Sequence, residues 1–295
     1  MKKIAVFMLF GQSNAVGHAM PMEEKDYISE PLKNVYGLNR DPNQSYDTTE
    51  LKFTGYTSFG MNLAETQDNT YSVANCLARR WQDEIDKGNS TLPDLYIIHI
   101  AIGSQGLLDM WNMSREKVIK PGILGTVDVS MYPLAIHVLG LFNKYCKDNG
   151  LEPDFAGLHW RGGEQEVRRG IDYLEKIDLK NEYVKFFTSL RKAVSYDFPI
   201  VIHKMPFEKV FTKEDPTGGC LATMHYINDV FTKLSSELNG TTVFDPTTCP
   251  FYDANQWDFG IFRWDLIHYL GKTNDWVAGE ILKEYKENDR CGKNK

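Results

Sequence analysis

Short apolar segments alternate along the chain with longer segments in which apolar residues recur at helical spacing. The short segments have no polar face, which is typical of strands buried on both sides in a parallel sheet covered by helices. The pattern therefore predicts an α/β fold, a three-layer α/β/α sandwich around a five-stranded parallel sheet. The predicted strands are residues 4–10, 95–102, 155–160, 200–203 and 241–244, and the predicted helices are residues 71–86, 133–148, 181–194, 223–238 and 273–285.

Two long segments show neither period and follow the first two predicted strands. They comprise residues 15–69 and residues 106–131. Both leave the carboxyl ends of strands, the edge at which open α/β sheets bind ligands. Because no linker or low-complexity tract divides the chain, we expect a single domain over residues 1–295, with loop insertions at about 18–69 and 106–131.

The composition excludes several classes of protein. With 42% hydrophobic and 25% charged residues, the chain is typical neither of disordered nor of fibrous proteins. A formal net charge of -7 offers no basic surface, so we expect no nucleic-acid partner and no membrane partner. The cysteines are far apart and form no C-x-x-C pair, so we expect free thiols and no metal site. They are Cys76, Cys146, Cys220, Cys249 and Cys291.

The amino terminus imitates a secretory signal, because Lys2 and Lys3 precede an apolar run. It lacks a small-residue cleavage site before the polar segment that begins at Gly11, which favours a buried first strand. No apolar run approaches the ~18 residues that a membrane-spanning helix needs. We therefore expect a soluble protein, with the cytoplasm favoured unless an export signal has been removed.

A serine follows the first predicted strand directly, in Gly11-Gln12-Ser13-Asn14. A serine at such a turn, after a residue that permits a tight bend, presents its hydroxyl at the sheet edge among backbone N–H groups. Taken alone, the segment is more typical of an ordinary turn with a helix cap.

An aspartate and a histidine three residues apart, Asp265 and His268, precede the last predicted helix. A carboxylate that accepts from one imidazole nitrogen leaves the other nitrogen to take a proton from a serine. The pair lies after the fifth predicted strand, at the same end of the sheet as Ser13. The three residues could therefore form a catalytic triad, although an isolated D-x-x-H is common by chance.

Two further turns share this edge of the sheet. Gly103 follows the second predicted strand, and glycine there lets a backbone N–H approach a developing oxyanion. The third predicted strand ends in Trp160-Arg161-Gly162-Gly163-Glu164. Each turn taken singly is typical of an ordinary βα connection.

Together these motifs resemble the SGNH hydrolase superfamily, and within it the carbohydrate acetylesterases that include sialate O-acetylesterase-like proteins. The resemblance rests on G-Q-S-N, the glycine turn, W-x-x-G-E and D-x-x-H in this order along nearly the whole chain. It implies a flavodoxin-like sandwich, Ser13 as nucleophile, and Asp265 and His268 as the acid–base pair. It also implies an oxyanion hole formed by Ser13, by Gly103 and by a donor at the position of Gly162, without a cofactor.

The third donor is where the chain departs from the family. The family pattern is roughly W-x-Q-G-E, and Gly162 stands where the glutamine is expected. Losing one oxyanion donor costs on the order of 3 to 4 kcal/mol in the barrier. Either Arg161, Gln165 or another side chain substitutes, or the enzyme is weak or inactive. Glu164 fits its position, and we expect it to support the site together with Gln12, Asn14 and Arg161.

The expected function is removal of O-acetyl groups from a carbohydrate, either sialic acid or a polysaccharide, through an acetyl-enzyme on Ser13. The alternatives are an O-acyltransferase that acts on a sugar and a carbohydrate-binding relative with weakened catalysis. Of the histidines, His99 and His137 are expected in the core, while His159 and His203 end strands at the active edge and could line the pocket. Aromatic residues of the predicted edge loops could stack on sugars, although packing is the commoner role: Trp111, Tyr132, Trp257 and Trp264.

Overall fold

The predicted alternation of strands and helices is present in the computed structural model. It describes residues 1–18, 26–39, 50–64, 70–88, 90–115, 119–121 and 127–287. The strands are β1 (Lys2–Gly11), β2 (Val35–Leu38), β3 (Phe53–Gly55), β4 (Asp94–Ala101), β5 (Ile119–Pro121), β6 (Val127–Val129), β7 (Leu151–Arg161), β8 (Ile200–His203) and β9 (Thr241–Phe244). The helices are α1 (Ser13–Val16), α2 (Val73–Asp86), α3 (Met131–Asp148), α4 (Glu164–Val167), α5 (Ile171–Lys176), α6 (Leu179–Val194), α7 (Glu208–Glu214), α8 (Gly219–Glu237) and α9 (Gly271–Glu287).

The main sheet has seven strands in the order β3-β2-β4-β1-β7-β8-β9, so the expected count of five is wrong. The two additional strands, β2 and β3, belong to the first insertion. β2 pairs in parallel with β4, and β3 closes the edge antiparallel to β2. With four and three residues, neither strand is long enough to show a period, so the pattern hid both. In the second insertion, β5 and β6 form a separate antiparallel pair.

Helices cover both faces of the sheet, as the apolar strands predict. Along β1, Ile4, Val6, Met8 and Phe10 face one core, which α3, α6 and α8 cover. The alternate residues of β1 face a second core against α2 and α9. This division gives the three-layer sandwich, with β1 at the centre of the sheet and fully buried from Ile4 onward.

Two further expectations concern the cysteines and the membrane. In the described part of the chain Cys76, Cys146, Cys220 and Cys249 are unpaired thiols, whereas Cys291 lies outside it. Among the described residues, no helix combines the length and the apolar composition that crossing a bilayer requires.

Candidate active site

The register of the three central strands brings the predicted turns together. Gly11 at the end of β1 pairs with Ala101 of β4 on one side and with Arg161 of β7 on the other. Ser13 and Gly103 each lie two residues beyond this row, and Gly162 lies one residue beyond it. The turns predicted to hold the nucleophile and the oxyanion donors therefore meet at one point of the sheet edge.

The serine turn requires glycine at position 11. Gly11 has a φ of 142°, and a β-carbon there would lie 2.0 Å from the carbonyl oxygen of Arg161. Ser13 is the first residue of the one-turn helix α1, which Gly17 caps, and Ser13 is half-buried. Ser13 therefore lies on a short helical turn directly after the end of β1.

Asp265 and His268 form the expected pair. Oδ2 of Asp265 lies 2.9 Å from Nδ1 of His268, and Oδ1 accepts the backbone N–H of His268 at 3.0 Å and of Ile267 at 3.2 Å. Burial alone would raise the pKa of Asp265, but these hydrogen bonds outweigh it and lower the pKa. Leu266, inside the turn, has a φ of 63°, a strained value of the kind that clusters at functional sites. The carboxylate is thus held ionised against one imidazole nitrogen.

Asn14 ties the serine turn to the histidine turn. Its Nδ2 donates to the carbonyl of Ile267 at 3.0 Å, and its Oδ1 accepts the N–H of Tyr269 at 3.2 Å. The side chain next to the serine therefore holds both neighbours of His268. Ser13 Oγ and the His268 ring, both among the described residues, are not hydrogen-bonded to each other, which is common before substrate binds.

Glu164 holds the serine turn through hydrogen bonds to its side chains. Its buried carboxylate accepts hydrogen bonds from the amides of Gln12 and Asn14, the two neighbours of Ser13. Burial raises the pKa of Glu164, and these two bonds partly oppose the rise. The structure thus places Glu164, Gln12 and Asn14 around the serine turn, in supporting positions.

Arg161 also holds the serine turn, through hydrogen bonds from its guanidinium. Nη1 donates to the carbonyl of Asn14 at 2.9 Å and to Oδ1 of Asn274 at 2.8 Å. The guanidinium also lies 4.7 Å from the ring centre of Tyr269. Arg161 is 2% exposed, and burial lowers its pKa. Its hydrogen bonds therefore support the backbone beside Ser13, whereas Gln165 lies half-buried on α4.

Gly162 is closely covered by its neighbour. A β-carbon there would lie 2.9 Å from the Trp160 ring, and that tryptophan is completely buried. The family glutamine would therefore need the core around Trp160 to shift. The packing of Trp160 against Gly162 therefore leaves no room for a side-chain donor at this position.

A small pocket, with room for about one water-sized group, lies beside Asn14 and Glu164. Arg161, His203 and Lys204 bring basic groups to it, and Tyr269 and Met205 also line it. Within the described part of the chain, Nε and Nη2 of Arg161 and Nδ1 of His203 are buried without hydrogen-bond partners. Sequence reasoning named Arg161 and His203 as candidates here and missed Lys204, which directly follows β8.

His203 contacts His159 behind this pocket. Nδ1 of His159 lies 2.9 Å from Nε2 of His203. Burial, and then the charge of Arg161, lower the pKa of His159 to about 3 and that of His203 well below its usual range. Both rings are therefore neutral at physiological pH. His99 is a core histidine, as expected, with Nε2 2.9 Å from the carbonyl of Ala15. His137, on α3, is only half-buried, so its expected place in the core is wrong.

His18 is a site residue that the sequence analysis missed. Its N–H donates to the carbonyl of Ser13 at 3.0 Å, and its ring stacks on His268 with centroids 6.3 Å apart. A β-carbon on Gly103 would lie 3.3 Å from Cε1 and Nε2 of the His18 ring. The signal that could have found it is Gly17: a glycine that ends a one-turn helix returns the next residue toward the serine.

The aromatic candidates divide by exposure. Trp111 is fully buried and donates from Nε1 to the carbonyl of Gly11 at 3.2 Å, so it anchors the second insertion. Tyr132 lies in α3 and packs on Phe186, so its placement in an edge loop is wrong. Trp264, beside Asp265, is 76% exposed, and Trp257 is 64% exposed. These two are the most exposed of the four, and the Arg263 guanidinium lies 5.6 Å from the ring centre of Trp264.

A second buried carboxyl, Glu166, fastens the loop after β4. Its Oε1 accepts the N–H of Leu108 at 3.0 Å, and its Oε2 has no partner among the described residues. Burial, with a further contribution from the charge of Asp109, raises the pKa of Glu166 to about 7. Within the described ranges, no three His, Cys, Asp or Glu side chains lie close enough together to hold a metal ion.

We expect Glu166→Gln to stabilise the protein at alkaline pH. Between about pH 4.5 and pH 7, Glu166 loses its carboxyl proton in the unfolded chain but keeps it in the folded protein. The free energy of unfolding of the wild type therefore falls as pH rises through this range, by about 3 kcal/mol. Glutamine is neutral throughout and removes this loss. Urea unfolding at pH 8 should favour the variant by about 1 to 3 kcal/mol, with little difference at pH 4.5. The exposed Glu152→Gln is the control, and a wild type whose stability rises from pH 5 to 7.5 relative to Glu166→Gln would contradict the assignment.

Solved structures share this α/β/α fold. Among solved structures, NanS is 13% identical to this chain with a TM-score of 0.62, and the match covers 97% of this chain and 98% of NanS. A protein of Arabidopsis thaliana is 12% identical with a TM-score of 0.57, covering 96% and 98% respectively. No family model and no curated protein sequence match the chain. Structural likeness at this identity shows the fold and not the chemistry.

Proposed function

We propose that the protein is a serine esterase that removes O-acetyl groups from a carbohydrate through an acetyl-enzyme on Ser13. The observation that carries the proposal is the Asp265–His268 pair, held next to the serine turn by Asn14. A histidine fixed by a carboxylate at Nδ1 can use Nε2 as the base for a serine hydroxyl. The fold shared with NanS and the order of the motifs support the same assignment.

In the proposed reaction, Ser13 Oγ attacks the acetyl carbonyl carbon while Nε2 of His268 takes the hydroxyl proton. The backbone N–H groups of Ser13 and Gly103 donate to the oxyanion. The C–O bond to the sugar then breaks, and His268 returns its proton to the leaving oxygen. Water, activated by His268 in the same way, hydrolyses the acetyl-enzyme and releases acetate.

The sugar part of the proposal rests on the surroundings of the triad. The exposed ring of Trp264 directly precedes Asp265 and offers a flat surface for a sugar face. The neighbouring pocket is lined by Arg161, which has two guanidinium nitrogens without partners among the described residues, by Glu164, and by Lys204, which pairs with Asp245 at 3.8 Å. The basic groups of Arg161 and Lys204 suit a carboxylate. Acetylated sialic acid, which carries one, is therefore the substrate to test first.

Two measurements test the proposal. Acetate release is followed from p-nitrophenyl acetate, from an O-acetylated sialic acid and from an O-acetylated neutral sugar. A fluorophosphonate should label one peptide, the one that contains Ser13, and a protein that only binds carbohydrate should stay unlabelled. Absence of both labelling and release would overturn the esterase assignment. Preference for the neutral sugar would overturn only the acidic-sugar assignment, and acetylated acceptor in place of free acetate would indicate a transferase.

The pH dependence provides a separate prediction. Hydrogen bonds lower the pKa of Asp265, so its carboxylate remains ionised while histidine takes up a proton. Activity should therefore fall on the acid side, because a protonated imidazole cannot act as the base. The measurement is kcat/KM for p-nitrophenyl acetate between pH 4 and 9. An activity plateau that extends well below pH 4 would contradict the role of His268.

A further inference from the structure

The proposed oxyanion hole lacks a side-chain donor at its expected place. Gly162 has no side chain, and its β-carbon direction is closed by the Trp160 ring. Arg161 uses Nη1 for the carbonyl of Asn14 and for Asn274. The pocket that Arg161 lines includes neither Ser13 nor His268. Another side chain is therefore needed if the site is to have a third donor.

The His18 ring lies where the three parts of the reaction meet. Its backbone N–H is fixed to the carbonyl of Ser13, and its ring stacks on His268 with an interplanar angle of 27°. Nε2 lies 3.3 Å from the position of a β-carbon on Gly103. One imidazole thus borders the nucleophile turn, the base and the second oxyanion turn.

We infer that Nε2–H of His18 is the third donor of the oxyanion hole and takes the place of the glutamine missing at position 162. This inference rests on the proposed esterase function. Imidazole N–H groups serve as oxyanion donors in other enzymes, and a preorganised donor stabilises the charge that develops on the carbonyl oxygen. In this step His18 donates a hydrogen bond, and the proton of Ser13 moves to His268. This role gives a second explanation for glycine at position 103, because a β-carbon there would crowd the His18 ring.

A pair of variants separates hydrogen bonding from packing. His18→Phe keeps a ring against His268 and Gly103 but removes the donor, whereas His18→Gln supplies an amide donor without the ring. We expect His18→Phe to lower kcat for p-nitrophenyl acetate about 10²- to 10³-fold with little change in KM. His18→Gln should retain at least ten times more activity than His18→Phe. The exposed His225→Ala, on α8, is the matched control and should match the wild type.

A tetrahedral analogue gives a second readout. A boronic acid that adds to Ser13 carries a negative oxygen, so its affinity should fall in His18→Phe by about the same factor as kcat/KM. If the His18 ring only packs, the boronic acid affinity and kcat/KM should be unchanged in His18→Phe and lower in His18→Gln. Either that pattern or wild-type kcat in His18→Phe overturns the inference alone. A wild-type protein that hydrolyses no ester overturns the proposed function and this inference together.

Discussion

Replacing Ser13 with alanine should abolish esterase activity, lowering kcat by about 10⁴- to 10⁶-fold. The proposed reaction has no other nucleophile, and the remaining groups can only bind and polarise the ester. The fold should be unchanged, because the Ser13 contacts that hold α1 are made by its backbone carbonyl to the N–H groups of Gly17 and His18. Alanine is also a good helix former at this position.

The measurement is acetate release from p-nitrophenyl acetate and from an acetylated sugar by wild type and Ser13→Ala. Ser236→Ala, at an exposed serine on α8, is the control for the substitution itself and should retain full activity. Thermal unfolding should place both variants close to the wild type. Equal rates for wild type and Ser13→Ala would show that the nucleophile lies elsewhere.

The central strands and the main helices could be predicted because each carries a complete apolar pattern. β1 is buried from Ile4 to Gly11, and β8 and β9 begin and end at the predicted residues. β2 could not be predicted, because its four residues include Gly37 and its pairing with β4 is a long-range contact. Short edge strands depend on the partner strand more than on their own sequence.

The candidate site likewise contains residues that the sequence predicts and residues that it does not. Ser13, Asp265 and His268 lie in short motifs after strands, so the parallel sheet alone predicts that they meet at one edge. The contribution of His18 depends on the left-handed conformation of Gly17, and that of Lys204 depends on how β8 ends beside β7. Such contacts arise from backbone geometry and strand order, which composition and spacing do not encode.

Asparagine at position 265 should lower kcat by about 10³- to 10⁴-fold while leaving the fold intact. Asp265 accepts two backbone N–H groups at Oδ1 and the His268 ring at Oδ2. An asparagine keeps the two backbone bonds only if its oxygen faces them, and its NH₂ group then faces Nδ1 of His268. That nitrogen must now accept, so the proton moves to Nε2. An imidazole protonated at Nε2 cannot take the proton of Ser13.

The tautomer of His268 distinguishes a catalytic role of Asp265 from structural support of the turn. Nitrogen NMR of the His268 ring should show Nδ1 protonated in the wild type and Nε2 protonated in Asp265→Asn. Asp253→Asn is the matched control, because Asp253 also accepts a backbone N–H through Oδ1, from Asn255, in the same segment. It should leave kcat unchanged. If Asp265→Asn kept more than a tenth of the wild-type activity, Asp265 would be a structural residue of the turn, and His268 would need another partner to hold its ring.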